Sequence, residues 1–240
     1  MLDGKLAMNI ILLALCYGYV VAVIVISSKM VKLFRFSSKH SRKFLHIMIG
    51  NLPFVIPFFT LNSFPLNLPF FVAAPFIIVT LLATPYVPSR TLGERLKGLT
   101  GITEKGHHLG LVYYAVSYTV LALFFASKPY IIAAGVLPMA YGDASAAIIG
   151  EKYGRRQYHV FTKKSLEGSA AMFIVSFLSV EASILFFSTL YLLPLVTLSV
   201  AALAVALVAT IAEALSPLGF DNITVPLLGV SVFLLFSGGI

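Results

Sequence analysis

The feature that most constrains the fold is a series of long apolar runs that occupies most of the 240 residues. A helix needs about 20 mainly apolar residues to cross a bilayer, and eight runs reach or approach that length. They are too long for the strands of a membrane barrel. We therefore predict an all-α integral membrane protein, a bundle of about eight transmembrane helices with no soluble domain. The predicted spans are 5–27, 44–60, 68–86, 108–126, 130–150, 167–187, 189–213 and 223–238.

The composition excludes most soluble classes of protein. Hydrophobic residues make up 59% of the chain and charged residues 11%, whereas a soluble domain carries about 25% charged residues. A free cytosolic enzyme and a disordered chain are therefore excluded. The single cysteine, Cys16, allows no internal disulfide. The first apolar run is longer than the core of a signal peptide and no cleavage site follows it, so we predict it to be the first membrane helix.

The positions of lysine and arginine predict the orientation, because short loops rich in these residues stay in the cytoplasm. Fifteen of the 17 lie in the loops after the first, third and fifth spans, and only Lys5 and Lys128 fall on the other side. Both termini are then outside, and residues 1–240 form one membrane domain with its polar chemistry at the cytoplasmic face. The net charge of +8 reflects this orientation and does not indicate nucleic acid. Short loops favour the plasma membrane of a prokaryote, with the endoplasmic reticulum as the alternative.

Ionisable groups in or at the ends of membrane helices are costly, and each is therefore a candidate functional residue. Five of the six lie near the predicted cytoplasmic ends of helices, and one lies deeper in the sixth span. Carboxylates beside basic groups at a membrane surface suit a divalent cation and a polyphosphate. The six residues are His46, Asp143, Glu167, Glu181, Glu213 and Asp221.

The stretch 141–150 allows two interpretations. Gly142, Ala146 and Gly150 recur at intervals of four, a spacing that lets another helix approach closely. Packing alone does not require Asp143, which lies about two turns from the cytoplasmic end. The small neighbours can instead leave room for a nucleotide or a metal ion beside this carboxylate.

The stretch 162–169 leads into the sixth span. Ser165 can cap that helix, and Lys163 and Lys164 beside the free backbone N–H groups would form an anion site. Glu167 in the first turn suits the helix dipole and is a candidate for metal binding or hydroxyl activation. An ordinary cap with lysines that follow the positive-inside rule is the alternative.

A basic stretch opens the second span. Arg42 and Lys43 lie four and three residues before His46, so on a helix all three can point into one site. The alternative is a basic anchor whose side chains extend toward the membrane surface.

The link before the last span is acidic and carries no lysine or arginine. Glu213 and Asp221 could complete a metal site with Asp143. The alternative is that Asp221 and Asn222 cap the last helix.

Together the four stretches resemble the dolichol kinase and phytol kinase family, membrane enzymes that phosphorylate long isoprenoid alcohols, typically with CTP. The matching residues occur in the same order as in that family and run from position 42 to position 226. They are Arg42, Lys43 and His46; Gly142, Asp143, Gly150 and Gly154; Lys164, Ser165, Glu167, Gly168 and Ser169; and Glu213, Asp221, Asn222 and Pro226.

The resemblance implies a kinase that takes CTP and Mg²⁺ at the cytoplasmic face and a dolichol, polyprenol, phytol or geranylgeraniol from the bilayer. It implies Asp143 as a metal ligand, with Glu213 and Asp221 as further ligands, and either Asp143 or Glu167 as the proton acceptor. The nucleotide and its phosphates would be bound by Arg42, Lys43, His46, Gly142, Gly150, Gly154, Lys163, Lys164, Ser165, Gly168, Ser169 and Asn222.

Two alternatives remain at this point. The chain more distantly resembles the CTP:phosphatidate cytidylyltransferases, but it lacks their Gly-Gly-x-x-Asp-Arg-x-Asp run. A small membrane transporter would carry charged residues near the middle of the bilayer, where only Glu181 fits. The sequence therefore favours the kinase.

Overall fold

The computed structural model describes residues 2–33, 37–86 and 109–239. Its contacts divide the chain into two compact units, Met1–Ser127 and Lys128–Ile240. The described residues are mostly helical, which agrees with the all-α class. Four helices are long and apolar enough to cross a membrane, and three further apolar helices are shorter. The number of spans and the orientation stay predictions. The predicted basic loop with Arg90, Arg95, Lys97 and Lys105 lies outside the described residues.

The described residues of the first unit form four helices and a short hairpin. Helix α1 is followed by α2, two single 3₁₀ turns, the antiparallel strands β1 and β2, and then α3 and α4. Asn67 joins the hairpin to α4, since its side-chain amide donates to the carbonyl oxygens of Ala122 at 2.9 Å and Leu123 at 3.1 Å. The bounds are α1 Leu2–Leu33, α2 Ser38–Ile49, the turns Leu52–Phe54 and Ile56–Phe58, β1 Asn62–Ser63, β2 Leu66–Asn67, α3 Leu68–Leu82 and α4 Gly110–Phe125.

The predicted span 44–60 is not one helix. Helix α2 starts earlier, at Ser38, because the Ser37 side chain caps it by accepting a hydrogen bond from the backbone N–H of His40. It ends at Ile49, and the two 3₁₀ turns that follow each have a proline in the first or second position, Pro53 and Pro57. A proline offers no backbone N–H and its ring crowds the preceding turn, so the α-helix does not continue through this segment.

The second unit has α5 at its centre. Every residue of α5 is buried, and the helix continues through a single π-helical turn into α6. A short antiparallel hairpin, β3 and β4, leads into α7, and α8 and α9 complete the unit. The bounds are α5 Pro129–Leu137, the π turn Pro138–Gly142, α6 Asp143–Tyr153, β3 Gln157–His159, β4 Lys163–Ser165, α7 Leu166–Ser188, α8 Leu195–Leu215 and α9 Asp221–Ser237.

Helix α8 shows how the second unit packs. Its buried face is largely alanine, and its exposed face carries leucine, isoleucine and valine. A soluble helix would place the larger apolar residues inside. Small residues toward the neighbouring helices and large apolar residues outward are typical of helices that pack within lipid, because association there depends on close backbone approach.

Candidate active site

Three acidic residues of the second unit lie at helix ends or beside the π turn. Asp143 directly follows the π turn that joins α5 to α6, Glu213 lies in the last turn of α8, and Asp221 begins α9. Asp143 and Glu213 are only 5% and 3% exposed. A buried carboxylate is costly unless a cation or hydrogen-bond donors compensate its charge. The arrangement therefore requires a positive group close by.

Lys164 supplies that positive group. It lies on β4 and forms an ion pair and hydrogen bond with Glu213. Burial alone would lower the pKa of the Lys164 ammonium, but the Glu213 carboxylate, with smaller contributions from Asp143 and Asp221, raises it above the ordinary value. All three acidic residues therefore act on one ammonium group. The structure pairs Lys164 with Glu213, two residues for which the sequence predicted phosphate and metal binding in separate stretches. Asp143 and Asp221 are close enough to raise the pKa of the same ammonium group.

The arrangement differs from a closed metal site. Among the described residues, no group of three or more His, Cys, Asp or Glu side chains is placed to hold a metal ion. The carboxylate oxygens are nevertheless of the kind that Mg²⁺ prefers, and Mg²⁺ is usually held by one or two carboxylates together with substrate phosphates. The donor set fits that mode of binding.

Ser165 caps α7, as the sequence predicted. Its hydroxyl oxygen accepts a hydrogen bond from the backbone N–H of Gly168 at 3.1 Å. The same hydroxyl lies against Gly150, Gly154 and Gly168, where a Cβ would come within 2.8–3.0 Å of the oxygen. These glycines leave space for the capping serine.

The spacing of small residues in α6 serves helix packing. A Cβ on Gly168 would lie 2.9 Å from the carbonyl oxygen of Ala146 and 3.3 Å from the Cα of Gly150. A Cβ on Gly142 would collide with the side chains of Ser176 and Met172 on α7. The packing interpretation is therefore confirmed. Nucleotide binding by Gly142, Gly150, Gly154 and Gly168 stays a prediction.

Glu167 and Ser169 fasten the β3–β4 hairpin to α7. Both carboxylate oxygens of Glu167 accept the backbone N–H of Arg156 at 3.3 Å. The hydroxyl groups of Ser169 and Tyr158 share a hydrogen bond of 2.6 Å. The hairpin holds Lys164 half-buried, and Lys163 beside it is exposed. Glu167 thus has a positioning contact that the sequence did not predict.

The cap predicted for the last helix takes another form. Phe220 is the residue that precedes α9, and no side chain caps it. The Asp221 carboxylate accepts the backbone N–H of Asn222 at 3.0 Å and its side-chain amide at 3.1 Å. That amide also donates to the carbonyl oxygen of Gly219 at 3.0 Å. Asp221 and Asn222 therefore order the turn before the helix and do not cap it.

The predicted basic residues Arg42, Lys43 and His46 belong to the first unit. All three are buried on α2, in contrast to a basic anchor that extends toward the membrane surface. The His46 ring packs against Tyr114, with ring centroids 4.7 Å apart, and the Tyr114 hydroxyl donates to the carbonyl oxygen of His46 at 3.2 Å. The sequence did not predict Tyr114, nor Tyr158 and Ser176 in the second unit. No local pattern marks these residues, because their contacts come from distant parts of the chain.

Fold and site together define a helical protein with helices apolar enough to cross a membrane, in which buried carboxylates lie near a lysine. No family model and no solved structure matches the chain. It is 32% identical to the phytol kinase of Synechocystis sp. over 221 residues, which are 90% of this chain and 88% of that protein. It is 33% identical to the probable phytol kinase 2, chloroplastic, of Glycine max over 82% of this chain and 65% of the relative. It is 32% identical to the probable phytol kinase, chloroplastic, of Triticum aestivum over 82% of this chain and 67% of the relative.

The chain therefore belongs to the phytol kinase family. This confirms the family that the four stretches indicated, and it agrees with the membrane character of the helices. The relatives reported above give no support to the cytidylyltransferase resemblance.

Replacing Gly168 by alanine should lower the free energy of unfolding by about 1–3 kcal/mol, because the added methyl group meets the backbone of α6. Thermal unfolding in detergent would measure the change. Gly18→Ala in α1 is the matched control, since a Cβ there meets nothing within 4 Å. Equal melting temperatures for the two variants would contradict the packing role.

Replacing Lys164 by methionine should lower the free energy of unfolding by about 3 kcal/mol, because it removes the ammonium group that is paired with the buried Glu213 carboxylate. Adding Glu213→Gln should restore part of the loss, and denaturation of the single and double variants would measure this coupling. Lys163→Met, at the exposed neighbouring position, is the control. Additive losses would rule the ion pair out as a stabilising contact.

The ion pair of Lys164 predicts how the free energy of unfolding depends on pH. The pKa of Lys164 is raised by folding, so the ion pair contributes fully below the ordinary lysine value of 10.5 and is lost as the pH rises through the higher folded pKa. The stability difference between the parent protein and Lys164→Met should therefore persist at neutral pH and shrink in strong alkali.

Proposed function

We propose that this protein is a membrane kinase that transfers the γ-phosphate of CTP to a long-chain isoprenoid alcohol. The observation that carries the proposal is the relationship to a phytol kinase along nine-tenths of the chain. The gathering of Asp143, Glu213 and Asp221 around Lys164 supports it, because phosphoryl transfer depends on positioning and on neutralising phosphate charge.

The donor phosphates would bind at the start of α7. Lys164, with Lys163 beside it, lies next to the N-terminus of this 23-residue helix, where backbone N–H groups and the helix dipole favour an anion. The first-turn N–H groups of Leu166 and Gly168 are already used, because they donate to the carbonyl oxygen of Arg156 and to the Ser165 hydroxyl. The two lysines and the helix dipole would therefore bind the phosphate oxygens.

Mg²⁺ would be held by Glu213 and Asp221 together with phosphate oxygens. When bound, it would reduce the negative charge on the phosphates. Asp221 is already oriented for this role by its hydrogen bonds to Asn222. Lys164 would leave its ion pair with Glu213 and bind the phosphates instead.

In the reaction, the alcohol oxygen forms a bond to the γ-phosphorus, and the bond from this phosphorus to the β–γ bridging oxygen breaks. CDP leaves with that oxygen, and the alcohol proton passes to a carboxylate. We assign the proton to Asp143, which is buried near Lys164. Glu167 is assigned the positioning of the hairpin, because both of its oxygens are bonded to the backbone of Arg156.

The proposal places the site at the cytoplasmic side of a prokaryotic plasma membrane, where nucleoside triphosphates are available. The distribution of lysine and arginine supports this orientation.

The test is the transfer of labelled γ-phosphate from CTP and from ATP by the purified protein in lipid nanodiscs with Mg²⁺. The acceptors are phytol, geranylgeraniol, a polyprenol and diacylglycerol. We expect a labelled isoprenyl phosphate, formed faster from CTP. If the protein instead releases pyrophosphate from CTP with a lipid phosphate, it is a cytidylyltransferase and the proposal is wrong.

Asp143→Asn should lower the rate of phosphate transfer at least about 100-fold, the usual contribution of a proton-accepting group. Its melting temperature in detergent should stay close to that of the parent protein. Glu151→Gln is the matched control, because this exposed carboxylate lies two turns further along α6. Full activity of Asp143→Asn would remove this residue from the mechanism.

A further inference from the structure

The described part of the first unit contains an apolar cavity that is partly open to the outside. Its walls come from α1, α2, α3 and α4 and include Val20, Leu45, Ile49, Ala73 and Ala115. Ligand pockets are concave and lined mainly by hydrophobic side chains. The lining and the open side of the cavity are therefore those of a site for an apolar ligand.

The lining offers almost no hydrogen-bonding groups to a ligand. Its polar side chains are Thr80, Tyr114 and Tyr118. The hydroxyl of Thr80 donates to the carbonyl oxygen of Phe76 at 2.6 Å, and that of Tyr114 donates to the carbonyl oxygen of His46 at 3.2 Å. These two hydroxyl groups are already used within the protein, and the Tyr118 hydroxyl has no hydrogen-bond partner among the described residues. A ligand in the cavity would therefore be held mainly by apolar contact, as an alkyl chain is.

Helix α2 indicates how a ligand would be oriented in the cavity. Leu45 and Ile49, one turn apart, form part of the cavity wall. Arg42 and Lys43 are buried one turn earlier on the same helix, and His46 packs against the Tyr114 that lines the cavity. One 12-residue helix thus carries an apolar wall toward its end and positive charge toward its start. This order matches a molecule with a long apolar tail and a head that becomes a phosphate.

We infer that the cavity holds the apolar chain of the isoprenoid alcohol, with the hydroxyl end toward His46, Arg42 and Lys43. The inference rests on the proposed function for the identity of the ligand, and on the apolar lining, the open side of the cavity and α2 for its position. The four helices that line the cavity then limit the length and branching of the acceptor.

Two substitutions fill the cavity from different helices. Ala115→Leu on α4 and Ala73→Leu on α3 place a larger side chain on its wall. Each should lower kcat/KM for the 20-carbon phytol at least about 10-fold relative to the 10-carbon geraniol, with KM for CTP unchanged. Ala122→Leu is the control, because Ala122 is equally buried on α4 but does not line the cavity. It should affect both alcohols alike. An unchanged preference in both cavity variants would overturn the inference.

A second measurement does not depend on catalysis. The full-length protein in nanodiscs is irradiated with a phytol analogue that carries a diazirine in its chain, and labelled peptides are mapped by mass spectrometry. We expect labelling on α1, α3 and α4, with competition by phytol but not by excess phospholipid. Labelling elsewhere, or equal competition by phospholipid, would overturn the inference.

The two measurements test separately whether the cavity binds the alcohol chain and whether the protein is a kinase. Labelling in the cavity without phosphate transfer would retain the binding site and reject the kinase. Phosphate transfer with labelling only in the second unit would retain the kinase and reject the cavity as the site of the chain.

Discussion

The ion pair between Lys164 and Glu213 is the interaction on which the candidate site depends. Glu213 is almost fully buried in the last turn of α8, at the helix end where the dipole disfavours negative charge. A carboxylate in that position is tolerated only with a cation beside it. The pair also fixes β4 against α8, and β4 leads directly into α7. The Lys164–Glu213 ion pair thus compensates the charge of the site and also holds the start of α7 near the end of α8.

Close helix packing determines where Asp143 lies. Gly142 and Gly150 let α6 approach α7 until backbone and side chains touch, and the alanine face of α8 allows similar approach to its neighbours. Within lipid, apolar surface alone gives helices little reason to associate, so this close contact is what holds them together. Asp143 follows Gly142 directly, and its carboxylate is therefore placed by the same contact that joins the helices.

The sequence predicted those features that depend on local composition. Apolar length predicted α1 and the helices of the second unit, and Ser165 was recognised as a cap because that motif is local. The segment 44–60 was predicted wrongly, because hydropathy does not register the loss of backbone donors at Pro53 and Pro57. The partners of Lys164 and Glu167 were not predictable either. They lie 49 and 11 residues away along the chain, and only the fold brings them together.

The balance of charge in the site bears on the proposed chemistry. Before a ligand binds, the Lys164 ammonium group is paired with the Glu213 carboxylate. For Lys164 to bind phosphate, another cation must therefore take its place beside Glu213. A nucleotide that brings Mg²⁺ would supply this cation, because Mg²⁺ is usually held by one or two carboxylates together with substrate phosphates. The ion pair is thus consistent with phosphoryl transfer in which the metal ion and the phosphates enter together.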